Sequence, residues 1–254
     1  MAEEQFIVSA RKYRPNDWNS VVGQENITTT MQHAITSGHL AQAFLFCGPR
    51  GVGKTTCARI FAKAINEGTT ENENDDFSFN ILELDAASND SVDDIRVIIG
   101  QQGIPPQSGK YKVYIIDEVH MLSNQAFNAF LKTLEEPPSY AIFILATTEK
   151  HKVIPTILSR CQIFDFNRIE VNNIADQLKM IAEKESIEVE DEALNLISQK
   201  ADGAMRDALS LFDLIVTFSK GKKVTYKDTI DNLHILDYDY YFRMTEALFA
   251  ENTT

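Results

Sequence analysis

The chain has little that would tie it to a metal cluster, an oxidising compartment or a lipid bilayer. Its 254 residues include three cysteines. These are Cys47, Cys57 and Cys161, and none has C-x-x-C spacing, which gives no metal cluster and suits a reducing compartment. No apolar run approaches the length that crosses a bilayer, and Met1-Ala2-Glu3-Glu4 lacks the basic start of a secretory signal. A cytoplasmic protein with no membrane partner is expected. Positive charge is scarce too: 24 Lys and Arg against 37 Asp and Glu leave a net charge of -13. That balance argues against an isolated chain that coats nucleic acid non-specifically, but leaves room for a few local phosphate contacts. Between Lys63 and Arg96 no Lys or Arg occurs, while Glu67, Glu71, Glu73, Asp75 and Asp76 fall in the gap. This is the pattern of a solvated surface loop.

What is present centres on Gly48-Pro49-Arg50-Gly51-Val52-Gly53-Lys54-Thr55-Thr56, which fits the phosphate-binding loop pattern G-x-x-x-x-G-K-[ST]. Its glycines let consecutive N–H groups converge on phosphate oxygens at the start of a helix. Lys54 would reach the β/γ-phosphates and the Thr55 hydroxyl would hold Mg²⁺. The flanks agree. Ala43–Cys47 is a short apolar run of buried-strand type, and residues 55–65 read as a helix with Ala58, Phe61 and Ile65 on one face.

Ahead of this loop, Arg11-Lys12-Tyr13-Arg14-Pro15 begins as an irregular arm, because Pro15 disfavours helix at Arg14. Residues 27–37 read as a helix. Downstream, residues 79–84 read as a strand, and Ser91 with Asp94 as the start of a further helix. Residues 111–118 form an apolar strand that delivers Asp117 and Glu118 at its carboxyl end, the end that faces the ligand crevice in an open α/β sheet. Phe127, Phe130, Leu131 and Leu134 mark a helix whose phenylalanines read as core, and residues 141–146 form another buried strand. Strands separated by helical segments imply a parallel, doubly wound sheet. From Val171 the alternation stops. Ile174, Leu178 and Ile181, then Leu194 and Ile197, then Leu209, Phe212 and Ile215 mark amphipathic helices of a second, all-helical domain, with a further helix near residues 226–233. The 254 residues thus divide into an α/β domain over 1–168, a helical lid over 169–234, and the start of something unfinished over 235–254.

Hard oxygen ligands suit Mg²⁺, so Asp117 with Thr55 would help hold it, and Glu118 would orient and deprotonate an attacking water. Thr148, at the end of the next strand, would bond the γ-phosphate or that water. Arg160 and Arg206 each read first as a surface charge or a helix-end cation, although arginine's planar fork also suits γ-phosphate charge.

In this order, Arg11–Pro15, Val22-Gly23-Gln24, the Gly48–Thr55 loop, Asp85-Ala86-Ala87-Ser88, Asp117-Glu118-Val119-His120-Met121-Leu122, Leu134-Glu135-Glu136-Pro137-Pro138, Ala146-Thr147-Thr148, Ser159-Arg160-Cys161 and the Arg206 segment resemble the clamp-loader AAA+ ATPases, in particular the gamma/tau-subunit family of bacterial DNA polymerase III. The resemblance implies an AAA+ P-loop core with a helical lid, and an ATPase that works in a heteropentameric ring. Its partners would be delta, delta prime and further gamma/tau copies, the sliding clamp, and primer-template DNA. Carried over by position, Lys54 and Thr55 bind phosphate and Mg²⁺, Asp117 is the Mg²⁺-site acid and Glu118 the base. Thr148 is the first sensor, Arg206 the second, and Arg160 the finger that serves a neighbour's site. Arg11, Tyr13, Arg14, Pro15 and Val22 border the adenine, and Arg96 touches a DNA phosphate. Two departures from the family pattern stand out. Residues 66–80 hold no cysteine where many relatives carry a four-cysteine zinc module, so no zinc is expected. The chain also stops at Thr254, where a collar domain is expected to begin, so a truncated, monomeric or weakly associating piece is expected. The alternatives are a clamp-loader arm that has lost hydrolysis, against which the intact set of site residues stands, and another AAA+ DNA motor such as a branch-migration helicase.

Overall fold

A computed structural model describes residues 7–67, 77–88, 100, 104–106, 109–219 and 223–233. The chain divides into two units, one of Arg14–Ile169 and one that joins Met1–Tyr13 to Glu170–Thr254.

The first unit is built on five parallel strands, β1 Ala43–Cys47, β2 Ile81–Asp85, β3 Lys112–Asp117, β4 Ala141–Thr147 and β5 Gln162–Asp165, in the order β2-β3-β4-β1-β5. Every residue of β1 and β4 is buried, and all but the last of β3. These three strands therefore read as unbroken apolar runs rather than as alternations. Successive side chains leave a strand on opposite faces. Leu45, Tyr114, Ile116, Phe143 and Leu145 pack on one side with Phe127, Phe130 and Leu134 of the helix Asn124–Glu135. Phe44, Phe46, Val113, Ile115, Ile142 and Ile144 pack on the other with Cys57, Ala58 and Phe61 of the helix Lys54–Ala64 and Met31 of Glu25–Ser37. Helices thus cover both faces, as the strand–helix alternation predicts, and Phe127 and Phe130 are core. Phe61 stands edge-on to Phe44, 5.0 Å between centroids, and its loss would cost about 3–5 kcal/mol.

The structure corrects the sequence reading at several points. Strand β2 begins at Ile81, because Phe77–Asn80 is a 3-10 turn that leaves Phe79 exposed. Strand β5 has no counterpart among the expected strands: it is an edge strand of four residues, and only Phe164 is buried. The N-terminal arm is not irregular throughout, since Ser9–Lys12 forms a helical turn. The helix expected after Ser91, Arg96, and residues 235–254 lie outside the described residues.

The helical unit contains Val171–Lys184, Asp191–Lys200, Met205–Phe218 and Tyr226–Leu233. The apolar residues named above bury its inner faces, including Leu178, Ile197 and Phe212. It also holds one short parallel pair, β6 Glu188–Val189 with β7 Lys223–Val224. The segment ending at Tyr13 groups with this unit rather than with the α/β unit, which corrects the start of the expected 1–168 domain. Carboxylates of the helical unit account for the grouping. The Ser9 N–H donates to Asp213 Oδ2 at 2.7 Å and the Ser9 hydroxyl to Asp213 Oδ1. Lys12 and the Tyr13 hydroxyl both donate to Glu185. Among the described residues no helix is long and apolar enough to cross a membrane.

Candidate nucleotide site

The register sets the carboxyl ends of β1 and β4 level, with Cys47 beside Thr147, and β3 finishes at Asp117 next to them. All five parallel strands end on this side of the sheet, and three of the segments that leave it there are Gly48–Gly53 after β1, Glu118 after β3 and Thr148 after β4.

The first of these turns tightly. Gly48 has φ +147 and its N–H donates to Thr147 O at 3.2 Å. A Cβ at Gly48 would lie 2.4 Å from the Phe166 carbonyl oxygen, so only glycine fits between the exits of β1 and β5. Gly53, at φ 105, is the N-cap of Lys54–Ala64. Val52 is buried in the core below, and its carbonyl accepts from Gln24 Nε2 at 3.5 Å. Lys54 is only 6% exposed. Its Nζ donates to Gly48 O and to Pro49 O, both at 2.8 Å. Burial lowers the Lys54 pKa, and the nearby Glu118 and Asp117 offset part of that shift. A charged amine so desolvated gains from any further anion placed against it.

Thr55 Oγ1 donates to Asp117 Oδ2 at 2.6 Å, and Asp117 Oδ1 accepts the Glu118 N–H at 2.9 Å. A hydroxyl and a carboxylate in contact at a helix N-terminus are the hard oxygen set that Mg²⁺ takes beside a phosphate. The residues present therefore fit that ion together with a phosphate chain. Glu118 itself has φ 47 and ψ 45, a conformation that costs a non-glycine residue about 1–3 kcal/mol. Its Oε2 accepts the Thr148 N–H at 3.1 Å and the Thr148 hydroxyl at 3.0 Å. A cleft of about 620 Å³ opens beside the loop, lined by Gly48, Pro49, Thr148, Lys150 and Asp165 among others.

The α/β unit thus brings together Gly48, Gly51, Val52, Gly53, Lys54, Thr55, Asp117, Glu118 and Thr148. Arg14 adds a bond from Nε to Thr56 Oγ1 at 3.3 Å. Val22 and Pro15 are half-buried in the same unit. Arg160 stands apart from this cluster, with Nη1 on Thr156 O at 2.8 Å and Nη2 on Glu135 Oε1 at 2.9 Å. Arg11, Tyr13 and Arg206 belong to the helical unit, where Arg206 is exposed in the first turn of Met205–Phe218. His120, not singled out by its sequence position, joins the end of β3 to that of β4 through Thr147 and Glu149.

Residues 23–170 match the family model described as DNA polymerase III, delta subunit. Residues 173–221 match the one for the DNA polymerase III clamp loader subunit, ATPase lid domain. A Buchnera aphidicola (Acyrthosiphon pisum) DNA polymerase III subunit gamma is 37% identical, over 98% of this chain and 72% of its own length. The chain belongs to the gamma/tau family of DNA polymerase III clamp-loader subunits. Similarity extends to the subunit tau of Bacillus subtilis, 45% identical over 96% of this chain, and to that of Escherichia coli, 41% over 97%. The chain spans 45% and 40% of the length of these two relatives. Among solved structures it resembles Thermotoga maritima RuvB, a Holliday junction branch migration motor, with TM-score 0.68 and 22% identity, over 88% of this chain and 73% of that one. At that identity the likeness concerns the fold alone: an AAA+ α/β core followed by a helical lid.

Proposed function

We propose that the chain is the ATP-binding and ATP-hydrolysing part of a clamp-loader subunit, which loads a sliding clamp onto primer-template DNA during replication in the cytoplasm. Its partners would be delta, delta prime, further gamma/tau copies, the clamp and the DNA. The observation that carries this reading is the 2.6 Å bond from Thr55 to Asp117. It joins the phosphate loop to the acidic strand end one residue before Glu118.

Bound ATP with Mg²⁺ would supply the phosphoanhydride and neutralise charge on its oxygens. Thr55 and Asp117 would ligate the ion, directly or through water, and Lys54 would turn from its two carbonyls to the phosphates. Glu118 would orient and deprotonate the attacking water, with Thr148 beside it as the first sensor. On the same reading Arg206 is the second sensor, Arg160 serves a neighbouring subunit, and Arg11, Tyr13, Arg14, Pro15 and Val22 border the adenine. Arg96 would meet a DNA phosphate, a contact that positions without reading sequence.

The test is turnover in the assembled loader. Lys54→Ala is expected to remove the ATPase that clamp and DNA stimulate, and unchanged turnover would overturn the assignment.

A further inference from the structure

The sequence reading gave His120 no role of its own, yet it occupies a fixed place between the two strand ends of the site. Its side chain is 8% exposed. Nε2 lies 3.2 Å from Glu149 Oε2, and Nδ1 lies 3.0 Å from Thr147 Oγ1. The Glu149 carboxylate thus faces the Nε2 edge of the ring. Thr147 Oγ1 accepts the Glu149 N–H at 3.0 Å and shares a hydrogen bond with Nδ1, so the hydroxyl ties the ring to the start of the segment after β4. Lys152 pairs with Glu149 and holds its carboxyl below the usual range. The ring thus meets a partner from the end of β4 at both nitrogens, Nδ1 through a hydrogen bond and Nε2 through the carboxylate beside it. Its Nδ1 edge then sits 3.4 Å from Glu118 Oε2, the same oxygen that takes both bonds from Thr148.

We propose that His120 is a positioning residue for Glu118: anchored by Glu149 and Thr147, it closes one side of the space in which the Glu118 carboxylate can turn. Oε2 is kept on Thr148, and Oε1, which bonds none of the described residues, is left to receive a proton. The Glu118 backbone is bonded on both sides, its N–H to Asp117 Oδ1 and its carbonyl to the Met121 N–H, which holds the left-handed turn from which the side chain leaves. The inference rests on the ATPase reading, since it assigns a support to the base which that reading names.

A buried histidine that merely fills space would lower stability when removed, but would not separate turnover from nucleotide binding. In the assembled loader, His120→Ala is expected to lower kcat by about tenfold or more while nucleotide affinity stays within about threefold. His120→Asn can still bond Thr147 and face Glu118 from the Nδ1 position, so it should recover most of the lost turnover. Glu149→Gln, which weakens only the anchor, should cost less than His120→Ala. Turnover of His120→Ala within twofold of wild type overturns the inference. So does an Asn variant as slow as the Ala variant at equal melting temperature. Glu118→Gln is the control for the reading beneath it: if that variant still hydrolyses ATP at the wild-type rate, the ATPase assignment itself fails, whatever His120 does.

Discussion

Replacing Gly48 by alanine tests whether the loop is shaped by packing or only by backbone preference, and Gly53 supplies the comparison. Both glycines have positive φ, +147 and +105. At Gly53 an added Cβ meets no atom of the described residues within 4 Å, whereas at Gly48 it would fall 2.4 Å from Phe166 O and 2.9 Å from Phe166 Cβ. Phe166 cannot easily yield: its N–H donates to Cys47 O at 2.7 Å and its ring packs 5.3 Å from that of Phe46. Gly53→Ala should therefore cost about 1–2 kcal/mol for the strained backbone alone. Gly48→Ala carries a similar strain plus about 1–3 kcal/mol for overpacking. At about 2–4 °C per kcal/mol for a unit of this size, the two variants should melt roughly 2–12 °C apart, Gly48→Ala lower. Thermal unfolding followed by circular dichroism without nucleotide measures this, and urea unfolding should show an unchanged m-value. Equal melting temperatures would refute the close approach of the β1 and β5 exits as the reason for glycine.

Other expectations are simpler to state. Burial pushes the Cys47 thiol up to about 11 and the Cys57 and Cys161 thiols up to about 12. With a free thiol near 8.5, thiolate at pH 8 should be about a hundredfold or more scarcer than in the unfolded chain. A disulfide reagent should accordingly label the native protein slowly and three equivalents quickly in denaturant, and one fast native equivalent would contradict this. Asp213→Ala removes the acceptor of both Ser9 bonds, a loss of about 1–3 kcal/mol in holding the N-terminal segment. Trypsin should then cut faster after Arg11 and Lys12, and an unchanged cleavage rate would count against that attachment. Arg160→Ala should leave nucleotide binding by the isolated chain unchanged and lower turnover only in the assembly. Collapse of binding in the isolated chain would make Arg160 a residue of its own site.

The residues that meet at the strand ends were legible early. Gly48, Gly53, Lys54, Thr55, Asp117 and Glu118 stand in short motifs at the ends of apolar runs, and the structure brings them together there; buried strands β1, β3 and β4 announce themselves as such runs. Strand β5 was not legible, since an edge strand with only Phe164 buried carries no such run. Nor was the allegiance of Ser9 and Tyr13, which depends on Asp213 and Glu185 far along the chain. The place of His120 is of the same kind: its meaning arises where β3 and β4 end side by side, and spacing along one segment cannot show it.

The strand order has a consequence for synthesis on the ribosome. Cys47 pairs with Thr147, a hundred residues downstream, and the other neighbour of β1 comes later still. At about 5–20 residues per second, the strand that carries the phosphate loop waits about 5–20 s before either flank exists. Throughout that interval Phe44, Leu45 and Phe46 have no neighbouring strand to pair with, so the emerging chain carries exposed apolar surface until β4 is made.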